Sequence, residues 1–445
     1  MRCVARLIVA TLFLSVFASA QQMDRLDRER MIGMLNVVSK DVEKYFYDPG
    51  LKGLNWTALT AEARTKIEAA KMPSEAITAI SLLVDKLDDS HTKFLPPSRA
   101  SRPFFGFEAK MFGDEARIYG IKPGGAAEKA GLRMGDRIVQ IFNYRPTRKD
   151  FDKAMLYYRI LHPMSELKIT YQRGEGPPQT VTVVAKVKQG PRSLDFSKVE
   201  NIYQYLVENF SDDEKYFWGM LEGDIGYIEV PTFRAEEVVP IHALEKSKAT
   251  IVDLRGDPGG RVDSVAEFAG HFESKPAVLA NMIGRKKTEL VKIKPHSPNF
   301  NVPMFILLDS HSASGAEMFA RYFQKTGQAK VIGDVSSGRV NAARYYSEGI
   351  GGFTIIPFGV QISVSRVAFE DGEELEHHPV VPDYPCLPSE ADLRVERDPC
   401  LKKAVALARK AAGRTEELPE KLADQVEHIT ASINEYHAQE RKRPD

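Results

Sequence analysis

The sequence predicts a multidomain α/β protein: an N-terminal helical region, a middle unit of short strands, and a larger α/β core. Three observations predict it. Apolar residues recur at helical spacing in MIGMLNVVSKDVEKYF and AITAISLLVDKL. Between Phe104 and about Val187 the texture changes to short strands with one helix. From about Tyr216 to Leu387, continuous apolar strands such as ATIVDLR and PMFILLD alternate with helical patterns, which argues for a substantially parallel sheet. At 445 residues the chain can hold two or three domains with sizeable cores. Its 61 Lys and Arg balance 61 Asp and Glu, so no global field favours nucleic acid or an acidic membrane.

Residues 1–20 read as a signal peptide. Arg2 and Arg6 precede the apolar run Leu7–Phe17, and Ala18-Ser19-Ala20 supplies small residues before Gln21. The alternative is an N-terminal membrane anchor, for which the run is short. Cleavage after Ala20 and export to the periplasm or medium is the expectation, with no stable membrane span. Cys3 leaves with the signal, so Cys386 and Cys400 remain, and in an oxidising compartment they are expected to form a disulfide rather than two buried thiols. No CxxC, HExxH, EF-hand, Walker or dinucleotide spacing occurs, so no metal or cofactor is expected.

Residues 21–100 form the helical region. Tyr47-Asp48-Pro49-Gly50 breaks its first helix, a second follows Trp56, and the third runs into the polar turn Asp88-Asp89-Ser90-His91-Thr92. Residues 101–190 form the middle unit, with DFDKAMLYYRIL as its helix. Residues 191–400 form the core, including a helix around Val239–Lys246. Residues 401–445 form a charged helical tail, packed by one face or partly solvated.

The most informative stretch is His311-Ser312-Ala313-Ser314-Gly315-Ala316-Glu317, directly after the apolar strand Met304–Leu308. Ser314 falls at a strand-to-helix turn, where unpaired N–H groups and the positive helix end can stabilise an oxyanion. Glu317, one turn on, shares its face. The bland alternative makes Ser314 an N-cap and Glu317 the other half of a capping box.

Two resemblances bear on that choice. The segment Gly124–Asn143 carries the P-x-x-A-x-x-A-G-L-x-x-G-D-x-I-x-x-I-N pattern and resembles bacterial PDZ domains. This implies that Phe105-Gly106-Phe107 is a carboxylate-binding loop for peptide C-termini; the alternative is a PDZ fold that only spaces other parts. The order of helical cap, PDZ unit and α/β domain with DLRGDPGG and SASGAE resembles the carboxy-terminal processing peptidases and their tricorn-core relatives. The resemblance implies a ClpP/crotonase-like core, polypeptide substrates, a nucleophile at Ser314, and oxyanion N–H groups at Gly260 and Gly315.

The general base departs from the Ser–Lys members. Their lysine position falls in Gly333-Asp334-Val335-Ser336-Ser337-Gly338-Arg339, and arginine cannot accept the serine proton. The tricorn-like branch instead implies His91, from Ser90-His91, as base, and Glu376, from Leu375-Glu376-His377-His378-Pro379, as its orienting carboxylate. Pro379 stands where glycine is usual. His377 and His378 are rival bases, Ser312 is the rival nucleophile, and Glu317 is expected to support the site. The reading is an exported serine peptidase; the alternative is a catalytically silent, PDZ-containing peptide-binding scaffold. An α/β-hydrolase esterase is disfavoured, because Ser314 lacks the G-x-S-x-G elbow.

Overall fold

A computed structural model describes residues 23–97, 101–189, 217–233, 241–351, 355–415 and 417–442. The signal segment 1–20 and the expected mature start at Gln21 lie outside them. The chain opens with α1 (Arg25–Tyr45), α2 (Trp56–Ala69) and α3 (Pro73–Asp85), followed by a short strand β1 (Lys93–Leu95). Asp24 caps α1 through the Asp27 N–H and Asn55 caps α2 through the Ala58 N–H. The apolar faces bury Leu35, Val38, Ile67, Ile80 and Leu83 in one core.

The middle unit runs through β2 (Ser101–Phe104), β3 (Phe107–Phe112), β4 (Glu115–Ile121), the short α4 (Ala126–Lys129), β5 (Arg137–Ile141), α5 (Phe151–Leu156), β6 (Glu166–Gln172), β7 (Gln179–Val184) and β8 (Lys186–Gln189). Strands β3 to β7 make a five-stranded antiparallel sheet in sequential order, while β2 pairs with β8. Their alternating burial, as in β4, encloses Phe105, Ile118, Ile138, Phe151 and Ile169. The helix expected over DFDKAMLYYRIL is α5 plus a widened π turn at Tyr157–Leu161.

The core continues with β9 (Trp218–Leu221), β10 (Ile225–Glu229), β11 (Ala249–Asp253), α6 (Val262–Ala269), β12 (Ala277–Gly284), β13 (Thr288–Ile293), β14 (Met304–Leu308), α7 (Gly315–Thr326), β15 (Ala329–Gly333), β16 (Ala342–Gly351), β17 (Ile355–Ala368), β18 (Tyr384–Pro385), α8 (Glu390–Arg394), α9 (Pro399–Ala411) and α10 (Glu420–Lys442). The sheet order is β18-β15-β14-β11-β10-β9, parallel except for β9. Buried β11 and β14, covered by α6 and α7 on one face and α9 on the other, account for the continuous apolar runs. The tail is therefore packed: Leu401, Ala404, Val405 and Ala408 of α9 lie on this sheet. Cys386 and Cys400 form the expected disulfide, with Cα atoms 5.6 Å apart.

Two features differ from the sequence expectation. The helix around Val239–Lys246 is, among the described residues, a single 3-10 turn at Ile241–Leu244, ended by the Ser247 N–H and hydroxyl both donating to the Leu244 carbonyl. A second, antiparallel sheet also accompanies the parallel one: β17 carries β16 on one edge, with β1 and then β12 on the other, and β13 pairs with β12. Phe358, Val360 and Ile362 of β17 close the core of α1 and α3, so the helical region is built into the core.

Candidate active site

Ser314 ends the loop after β14 and opens α7. Its φ of 54° and ψ of −113° lie where a residue with a Cβ is strained. The strain is held from both sides. The Ser314 N–H donates to the Arg339 carbonyl at 2.8 Å and to Glu317 Oε2 at 3.2 Å. Fully buried Glu317 also accepts from the Ser336 hydroxyl at 2.5 Å, the Gly338 N–H at 2.7 Å and the Arg339 N–H at 2.9 Å. Burial pushes its carboxyl up to about 7, with those donors opposing the shift. Glu317 thus does more than complete a capping box: it pins the 336–339 loop to the start of α7.

Gly259 and Gly260 pass against this turn. A Cβ on Gly259 would come within 2.6 Å of the Ser314 Cβ and 2.7 Å of the Gly315 nitrogen, and one on Gly260 within 2.0 Å of the Phe233 oxygen. Only glycine fits there. Among the described residues the N–H groups of Gly260 and Gly315 donate no hydrogen bond. Ser312 is fully buried, its hydroxyl bonded to the Leu254 carbonyl at 2.8 Å and accepting from the Asp309 N–H at 2.9 Å, which leaves it no freedom to attack.

The second half of the site comes from the turn after α3. Buried Asp89 accepts from the His91 N–H, the Thr92 and Ser363 hydroxyls, and Asn341 Nδ2. Glu376 accepts from the Ser90 N–H at 2.8 Å, the Ser90 hydroxyl at 2.9 Å and the Val340 N–H at 3.0 Å. Ser90 Oγ lies 2.8 Å from His91 Nδ1. Glu376 therefore reaches His91 through Ser90 rather than directly. With the single hydroxyl proton committed to Glu376, Nδ1 must be the donor to Ser90, and the other ring nitrogen, Nε2, carries the lone pair. Among the described residues no hydrogen bond joins the Ser314 hydroxyl to His91. What brings the halves together is one segment: the Arg339 carbonyl holds Ser314, and the adjoining Val340 and Asn341 hold Glu376 and Asp89.

Residues 224–386 match the profile of peptidase family S41. The likeness to that family is confined to this segment of the core. Ser314, Glu317, Arg339 and Glu376 lie inside the matched S41 segment and His91 outside it. It is 27% identical over 280 residues to the carboxy-terminal processing protease CtpB of Bacillus subtilis (strain 168), covering 59% of this chain and 53% of that protein. It is 23% identical over 340 residues to CtpA of the same strain, covering 70% and 65%. The chain thus spans between about half and two thirds of those relatives. Among solved structures, mature CPAF complexed with lactacystin covers 92% of this chain and 100% of its own, with a TM-score of 0.62 at 14% identity. A CPAF mutant gives 0.64 at 11%, covering 88% and 99%. These likenesses concern the fold.

The electrostatics around His91 favour an uncharged imidazole. Burial, reinforced by Lys93 and Arg339 and partly offset by Asp89, lowers His91 to about 4. His377 and His378 are exposed; His377 Nε2 meets the Asp88 carbonyl at 2.9 Å, and His378 Nδ1 lies 3.0 Å from the carbonyl of Glu376. Phe105 and Phe107 are core residues of the middle unit, and Gly106 makes the turn between them at φ +75°. Sequence reasoning passed over Asp89, Ser90 as a bridge, and Gly259. The D-D-S-H run and the first glycine of PGG were the available signals. Among the described residues no cluster of potential metal ligands occurs and no helix is long and apolar enough to cross a membrane.

Proposed function

We propose that this chain is an exported serine peptidase of the S41 type, cutting polypeptides by a Ser314–His91–Glu376 mechanism. The observation that carries it is the Glu376–Ser90–His91 relay, which leaves Nε2 as a base, on the same 339–341 segment that pins strained Ser314. His91 Nε2 takes the hydroxyl proton as Ser314 Oγ bonds to the peptide carbonyl carbon. The oxyanion is received by the N–H groups of Gly260 and Gly315. His91 then returns the proton to the leaving amine, and water repeats the cycle on the acyl-enzyme. Glu376 acts through Ser90, keeping the tautomer and balancing the imidazolium. The middle unit is read as a PDZ domain whose Phe105-Gly106-Phe107 loop takes substrate C-termini, and the core as ClpP/crotonase-like. The names of the CtpA and CtpB relatives support carboxy-terminal processing. Export is supported by the signal pattern in residues 1–20 and by the disulfide.

A second reading, a silent peptide-binding scaffold, is favoured by Arg339 at the lysine position. A fluorophosphonate probe separates them. Mass spectrometry should find Ser314 labelled, with labelling lost in Ser314→Ala and in His91→Ala. Labelling at another serine would move the nucleophile, and an unlabelled protein that cuts no unfolded peptide would be the scaffold.

A further inference from the structure

Arg339 has a backbone bound into the site and a side chain engaged elsewhere. Its carbonyl holds the Ser314 N–H and its own N–H donates to Glu317, so its Cα is fixed beside the nucleophile. Its guanidinium Nη2 donates to Asp152 Oδ2 at 2.9 Å. Asp152 belongs to α5 of the middle unit, and its other oxygen lies 3.6 Å from His311 Nε2 at the start of the SASGAE stretch. Burial pushes the Asp152 carboxyl up, but His311 and Arg339 outweigh it and hold it well below the usual carboxylate range. The positive charge of Arg339 also contributes to the lowering of His91. A carboxylate borrowed from another unit therefore sits on a cation beside Ser314.

Two further observations argue against a merely structural tie. Both partners are about one third exposed, so the pair is open to exchange with solutes. Among the described residues the guanidinium makes only this one hydrogen bond, although its fork can hold both oxygens of a carboxylate. The middle unit is meanwhile anchored without it, by Lys110–Asp309 at 2.5 Å and Arg148–Asp334 at 3.0 Å.

We propose that Arg339 is a specificity-determining residue that binds a carboxylate of the substrate, and that Asp152 occupies it as an internal stand-in until substrate displaces it. This rests on reading Ser314 as the peptidase nucleophile. The carboxylate has two sources, an acidic side chain near the scissile bond or the chain terminus.

Binding to the full-length protein carrying Ser314→Ala, read by fluorescence anisotropy, tests it. One labelled peptide sequence is used in three forms: amidated and uncharged, amidated with glutamate moved one position at a time, and uncharged with a free C-terminus. At least one carboxylate form should bind about fivefold or more tighter than the uncharged amide, a gain typical of a charge-assisted contact. The arm that shows it identifies the source. Arg339→Gln should bring the ratio close to one, Arg339→Lys should retain part of it, and Asp152→Asn should tighten the carboxylate peptide by removing its competitor. Equal affinity for all forms overturns the proposal. So does a preference that survives Arg339→Gln, which would assign it to the Phe105–Phe107 loop. Thermal melts identify a variant that fails to fold, and the Asp152→Asn arm then decides alone: no tightening overturns the proposal. Cleavage by the protein with Ser314 intact is scored separately. Arg339-dependent binding without cleavage would remove the peptidase reading and keep the subsite.

Discussion

Two seams meet at the site and are made of different materials. The helical region joins the core through shared apolar surface, with Phe94, Phe358, Val360 and Ile362 packed among the residues of α1 and α3. At that seam Asp89 is buried and satisfied by Thr92, Asn341 and Ser363. The middle unit is different. Its apolar cluster is made of its own residues, Phe105 to Ala185, and apart from Leu161, which packs on the helical core, it meets the rest largely through ion pairs and single hydrogen bonds: Lys110–Asp309, Arg148–Asp334, Arg339–Asp152, Lys153–Asp85 and Glu390 with the Gly174 N–H. Detaching the helical region would expose apolar core and orphan buried donors, at a cost of several kcal/mol. Detaching the middle unit mainly exchanges ion pairs for hydration. The turn that carries His91 is thus held by an apolar seam and the middle unit by a largely polar one.

The sharpest way to break the first seam's function is His91→Ala, expected to lower turnover by about a hundredfold or more while the fold survives; kcat on an unfolded protein substrate measures it, and a fully active variant would remove His91 as base. Asp89→Ala should act on stability instead. It leaves the Asn341, Ser363 and Thr92 donors buried without their acceptor, at roughly 2–4 kcal/mol, read as a lower Tm. Ser90→Ala keeps both ends of the relay but removes the link, with an expected loss of about tenfold in kcat and little change in KM.

The pH profile sharpens the same comparison. His91 is lowered below its ordinary value, so the neutral base persists down to about pH 4, and the acid limb of kcat/KM should fall there rather than near 6.5. For stability the sign is the same: the unfolded chain takes up the proton first, so the contribution of His91 is complete above 6.5 and is lost as pH falls toward 4. An acid limb near 6.5 would mean that His91 is not held by this environment. The smallest effect belongs to the second seam. Raising salt from about 0.1 to 1 M shortens the screening length from roughly 10 to 3 Å, and hydrogen exchange at β3 and α5 should rise while α1 and α3 stay protected. Equal protection throughout would show that the middle unit is no more separable than the helices.

Much of this was legible in the sequence because it depends on local chemistry. Helical periodicity marked α1 and α3, the apolar runs marked β11 and β14, and the small-polar break after β14 marked Ser314. Arg339 excluded a lysine base from its identity alone. Other features have no local signature. Strand β17 pairs with β1 across most of the chain, and its buried central run lacks the alternation that would have announced it. The helix expected around Val239–Lys246 is, over the described part of that span, a 3-10 turn at Ile241–Leu244.

What the sequence by itself determined is therefore which groups are available: a serine at a strand-to-helix turn, a histidine beside a serine, a glutamate far along the chain, glycines in a tight turn, and an arginine unable to act as base. Tertiary structure alone decided how they connect. That Ser90 stands between Glu376 and His91, that Glu317 and Arg339 hold Ser314 in a left-handed conformation, and that Asp152 reaches the site from another unit all depend on pairings between distant residues. Hydrogen bonds act over about 3 Å, and which atoms come that close is set by the packing of sheets and helices rather than by any neighbour in the chain.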